Sequence, residues 1–108
     1  ALRGDPVGGP REPWVTHPDG MAHAIELVAL ARRVGGLEVG VAAFPEGHPD
    51  ADGLELDADV LVAKAEAGAT FAITQLFFRA SDYFGLVDRV RARGRWLSFP
   101  ARRCHLKF

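Results

Sequence analysis

A single cysteine, Cys104, stands in the 108 residues. An intrachain disulfide and a cysteine metal cluster are therefore both excluded. Disulfide-stapled secreted folds fall away, and a reducing, cytoplasmic setting is expected. No apolar run approaches the ~20 residues of a membrane-spanning helix. No basic stretch followed by an apolar core opens the sequence, so no secretory signal is expected. Four histidines, His17, His23, His48 and His105, lie without the spacing of a zinc site. Low-complexity tracts and internal repeats are missing as well.

What remains is an ordinary globular composition, 48% hydrophobic and 25% charged. The length suits one domain. The chain opens on Ala1 rather than Met, as expected of a processed chain or of a piece of a longer one. A net charge of −1 gives no reason to expect nucleic acid or a membrane. Its distribution is uneven. All 14 acids lie in residues 1–88, whereas residues 89–108 hold bases only. That break suggests a basic partner surface or a change of sequence origin.

Four Gly and four Pro in residues 1–20 predict a long loop. Asp19 is expected to cap a helix that carries Ala24, Leu27, Val28, Ala31 and Val34 as its apolar stripe. Gly35-Gly36 ends it. Leu37–Phe44 predicts a strand buried on both faces, as in a parallel sheet. Residues 46–55 are expected to form a loop. Leu56–Ala67 predicts a second helix with Leu56, Val60, Ala63 and Ala67 inward. Thr70–Phe78 predicts a second strand. Ser81 is expected to cap a third helix with Tyr83, Leu86, Val87 and Val90 inward, ended by Gly94.

This alternation predicts α/β architecture with parallel strands. Two strands, or three if another ends just before Leu2, cannot fill a core, so a segment of a larger α/β fold is expected. After Gly94 neither strand nor helix period continues. The tail 95–108 is expected to pack loosely, without regular structure.

Chemistry in parallel α/β folds gathers at the carboxyl ends of the strands. Three clusters fall there: Leu2-Arg3-Gly4-Asp5, the run from Phe44 to Pro49, and Thr74-Gln75. Asp57 and Lys64 join them from the second helix. Gly4 permits close backbone approach to a ligand. Lys64 is a cation suited to a diphosphate. Gln75 offers both donor and acceptor. Each has a plain structural explanation too: turn chemistry for Asp5, a loop histidine at His48, a solvated charge at Lys64.

The ordered set ALRGD, VGVAAFPEGHPDA, D-x6-K and AGATFAITQLFF resembles methylenetetrahydrofolate reductases, from Ala1 to about Gly94. The resemblance implies a (β/α)8 TIM barrel, of which residues 1–94 would run from about the end of strand 4 to helix 6. It implies FAD as bound cofactor, NAD(P)H as hydride donor, and reduction of 5,10-methylenetetrahydrofolate to 5-methyltetrahydrofolate. It implies a homo-oligomer for the full-length enzyme.

Residue by residue, Leu2, Arg3, Gly4 and Asp5 match a turn against the flavin, with Asp5 also near the reacting part of the folate. Ala42 and Phe44 match flavin-lining positions. His48 matches a histidine near the ribityl and phosphate groups. Asp57 matches an acid near the adenosine, and Lys64 a lysine near the diphosphate. Gln75 matches the folate-binding glutamine. The family's general-acid glutamate has no counterpart in these residues. The tail 95–108 departs from the family pattern, as a frameshift, an alternative exon or a truncated gene would make it. Two other functions stay open: a non-catalytic truncated remnant, and a different barrel enzyme for a phosphate-bearing ligand.

Overall fold

The computed structural model describes residues 1–9, 11–49 and 51–95, together with the strand at 105–107. In chain order these form α1 (Ala24–Val34), β1 (Gly40–Ala43), α2 (Leu54–Glu66), β2 (Phe71–Thr74), α3 (Ala80–Ala92) and β3 (His105–Lys107). β1 and β2 pair in parallel, with Gly40 opposite Phe71 and Ala43 opposite Thr74. α2 connects them, as the alternation predicts. Thr70 extends the junction, its N–H donating to the Val39 carbonyl at 2.9 Å.

Helix boundaries depart from expectation at two caps. α1 is capped by His23, not by Asp19. Glu26 reaches back to accept the His23 backbone N–H at 2.9 Å, which satisfies a donor that the helix leaves orphaned. Asp19 instead sits in a turn closed by Gly20 N–H to the His17 carbonyl at 2.9 Å. α3 begins at Ala80 with Arg79 as its cap, which puts Ser81 inside the first turn. There Arg79 donates twice to Asp82, at 3.0 and 3.1 Å, and the Asp82 carboxylate suits the helix N-terminus.

The core lies on one face of the sheet. Val41 and Ala43 of β1 and Ala72 of β2 pack with Ala58 and Leu61 of α2 and Leu86, Val87 and Val90 of α3. Burying each such Val or Leu contributes ~1.5–3 kcal/mol. The opposite face is open among the described residues. Ile73 is 56% exposed, and Ala42 is only half-buried. β1 is therefore not buried on both faces as its composition suggests, because the described helices cover only one. α2 differs likewise. Ala58, Leu61 and Ala65 enter the core, while Leu56 and Val60 stay over 40% exposed.

Residues 96–104 and 108 of the tail lie outside the described residues. Residues 105–107, expected to lack regular structure, pair antiparallel with β2, His105 opposite Ile73 and Lys107 opposite Phe71. An unpaired strand edge is a ready template for any extended segment, whatever its period.

Gly40 has a steric duty. A Cβ there would lie 2.5 Å from Phe71 Cε2 and 2.6 Å from Cζ. Gly40→Ala is expected to lower stability by ~1–3 kcal/mol, the cost of forcing atoms into filled space. Urea unfolding should show a lower midpoint, partly restored by adding Phe71→Leu. An unchanged midpoint in Gly40→Ala would mean that the ring moves aside freely.

Candidate functional site

A cavity of about 400 Å³ opens at the carboxyl end of β1, a size suited to small-molecule ligands, whose sites run ~300–1,000 Å³. β1 contributes Ala42 and Ala43, and the following loop contributes Phe44 and His48. α2 presents Asp57, Val60 and Lys64 to it, a spacing that puts all three on one helix face. Leu2 and Arg3 line it as well. Ala1 ties that segment to β1, its amine donating to the Gly40 carbonyl.

The loop after β1 is shaped by Gly47, at φ +97°, a conformation that side-chain-bearing residues rarely adopt. Its N–H donates to the Phe44 carbonyl at 3.2 Å. The tight turn swings His48 back over Phe44, and their rings meet edge to face at 4.6 Å. Asp57 secures the loop from below, its carboxylate accepting the His48 backbone N–H at 2.7 Å. Farther out, Glu46 accepts the Phe78 N–H at 2.9 Å. That bond ties the loop after β1 to the loop after β2.

Burial pushes the Lys64 ammonium below the usual lysine range, and the Asp57 carboxylate on the same helix opposes that shift. A partly desolvated cation has lost water contacts that an anionic ligand can replace. The cavity can thus accept a flat apolar group against Ala42 and Phe44 and an anion near Lys64.

Of the sequence-predicted residues, Leu2, Arg3, Ala42, Phe44, His48, Asp57 and Lys64 come together around this one cavity. Gly4 and Asp5 continue outward along the exposed chain after Arg3 and are not part of its lining. Gln75 is exposed just past β2. Its backbone N–H donates to the Ala43 carbonyl at 2.8 Å, which places it beside the carboxyl end of β1. Sequence reasoning missed His23 and Ile25 at the start of α1, and it assigned the wall residues Leu56 and Val60 to the core. The available signal was Asp57 and Lys64, two charges interrupting the apolar stripe of α2. Among the described residues no three metal-ligating side chains cluster. No helix among them is long and apolar enough to cross a membrane.

The family profile for methylenetetrahydrofolate reductase matches residues 1–100. The chain belongs to the methylenetetrahydrofolate reductase family. It is 42% identical over 95 residues to the 5,10-methylenetetrahydrofolate reductase of Pectobacterium carotovorum, covering 87% of this chain and 29% of that protein. The Escherichia coli enzyme of the same name is 38% identical over 94 residues, with the same coverage. Methylenetetrahydrofolate reductase 1 of Schizosaccharomyces pombe is 36% identical over 96 residues, 87% of this chain and 16% of that protein. The chain thus spans less than a third of the length of these relatives.

The lowered Lys64 pKa has a sign that can be checked. Between the lowered folded value and the ordinary value of 10.5, the unfolded chain binds the proton that the native chain has released. Stability should therefore rise with pH through that window. Lys64→Met is expected to abolish this rise and to increase stability at neutral pH, because a disfavoured cation is gone. Urea midpoints of both proteins across the alkaline range test it. A parallel pH dependence in the two would sink the assignment.

Proposed function

We propose that this chain is a segment of a (β/α)8 reductase barrel, from about the end of strand 4 to helix 6. In that barrel it helps to hold FAD, and the enzyme reduces 5,10-methylenetetrahydrofolate with NAD(P)H. What supports this most is the meeting of seven predicted cofactor residues around one cavity that has both an apolar wall and a partly desolvated lysine. A flavin held there supplies hydride-carrier chemistry that side chains lack.

The chain's own residues have separable tasks in this reading. Lys64 neutralises the diphosphate, and Arg3, in the turn against the flavin, is a second cation on the lining of the same cavity that can join it. Ala42 and Phe44 offer a flat surface to a ring system. Asp57 keeps His48 and its loop in place through a backbone hydrogen bond and lines the cavity on the side given to the adenosine. Gln75 can both donate to and accept from a pterin edge. Asp5, exposed and anionic, is the residue that can stabilise the cationic iminium formed when the folate ring opens. Such a fixed charge is most effective where charge develops.

FAD titrated into the cofactor-free full-length reductase carrying this segment, followed by flavin fluorescence, is expected to show saturable binding. Lys64→Gln should weaken it by roughly 10–100-fold, the worth of a charge-assisted hydrogen bond. Riboflavin, which lacks the diphosphate, should be insensitive to that change. A parent chain that fails to bind FAD would overturn the cofactor assignment and favour a non-catalytic remnant.

Asp5→Asn keeps size and hydrogen bonding but removes the charge. In the full-length reductase carrying this segment it should slow folate reduction by ~10–1000-fold. Flavin reduction by nicotinamide should be unharmed or faster, because the anion opposes negative charge on the reduced cofactor. Stopped-flow absorbance separates the two half-reactions. A slowed nicotinamide half beside an untouched folate half would make Asp5 a structural turn residue.

A further inference from the structure

Arg3 is held by a residue that lies outside every motif of the chain. Its guanidinium sits over the Trp14 ring, 4.6 Å from the centroid. That is within the ~6 Å of an effective cation–π contact. Two turns bend the intervening loop to make the contact possible. Gly9 N–H donates to the Pro6 carbonyl at 3.1 Å, and Glu12 N–H to the Gly9 carbonyl at 3.1 Å. Trp14 is half-buried, with its indole N–H enclosed and without an acceptor among the described residues. No hydrogen bond of the indole among the described residues explains a tryptophan at this position; the guanidinium on its face does.

We propose that Trp14 is a positioning residue, which stacks on Arg3 and holds that guanidinium at the wall of the cavity for a phosphate-bearing dinucleotide. The inference rests on the cofactor assignment above. The physical reason is pre-organisation. A long arginine side chain must give up rotamer freedom when it grips an anion, and a side chain ordered beforehand gives up less on binding. Stacking engages the flat face of the guanidinium, whereas an anion is gripped by its in-plane N–H donors. The two contacts are therefore compatible. The charge is kept, its position is narrowed, and the affinity gained is specific to anionic ligands.

A double-mutant cycle in the full-length reductase carrying this segment tests this, with FAD and riboflavin as probes. Trp14→Leu keeps apolar bulk and removes the π face. It should weaken FAD binding by about three- to thirtyfold, the worth of a cation–π contact expressed as an affinity ratio. It should leave riboflavin, which carries no phosphate, unchanged. Trp14→Phe should restore FAD affinity to within about threefold of the parent, because a ring face returns and no indole hydrogen bond was available to lose. In an Arg3→Gln background, Trp14→Leu should have no further effect. The inference is overturned if Trp14→Leu binds FAD like the parent, if it weakens FAD and riboflavin alike, or if its effect persists without Arg3. A parent chain that binds no FAD overturns the cofactor assignment itself, and this inference falls with it. A parent that binds while Trp14→Leu matches it overturns this inference alone.

Discussion

One residue past the end of the parallel ladder, the Gln75 backbone N–H still finds the Ala43 carbonyl, at 2.8 Å. The rest of the site depends on this pairing. It aligns the ends of β1 and β2, so the loops that leave them start side by side. Residues far apart in sequence, such as Phe44 and Gln75, become neighbours through the register alone. An antiparallel arrangement would have sent the two loops to opposite ends of the sheet. Parallel strands need a long crossover, and here α2 supplies both the crossover and one wall of the cavity.

α2 therefore serves two environments. Ala58, Leu61 and Ala65 pack into the core beneath the sheet, while Leu56, Val60 and Lys64 face the cavity. Lys64 is partly desolvated because it shares a face with apolar neighbours, and it is tolerated because Asp57 lies on the same helix. Holding a cation there works against the stability of the unliganded chain. The same loss of water leaves that cation under-solvated and ready for an anion.

Loop positions rest on carboxylates that accept backbone N–H groups. Asp57 holds His48, and Glu46 holds Phe78. Such bonds hold the path of the main chain directly, which a side-chain pair at the surface does not. At the same N-terminal end of α2, Arg93 just past α3 bonds Glu55 at 2.8 Å and also Asp59. That network joins the two helices where they flank the core. Exposed pairs of this kind contribute little singly, but Arg93 also donates to backbone carbonyls of Arg89 and Glu55.

Order and type of the first five elements were legible in the residues, because period and punctuation are local properties. α3 shows this best: Leu86, Val87 and Val90 are buried as their spacing requires. Cap positions were less legible. His23 and Arg79 occupy the cap positions, His23 with its backbone N–H accepted by Glu26 and Arg79 with its side chain paired to Asp82, while better cap formers stood nearby. The faces of α2 and β1 were misjudged for one reason: an apolar residue reads the same whether it meets a core or a cavity. The strand at 105–107 has no period of its own and exists by pairing with β2. The sequence by itself determined the alternation of elements and the family motifs, since both are written in neighbouring residues. Only the tertiary structure decided that Lys64 is partly desolvated and that Trp14 stacks on Arg3. Burial and ring contact depend on what the folded chain brings together, and no local pattern contains that.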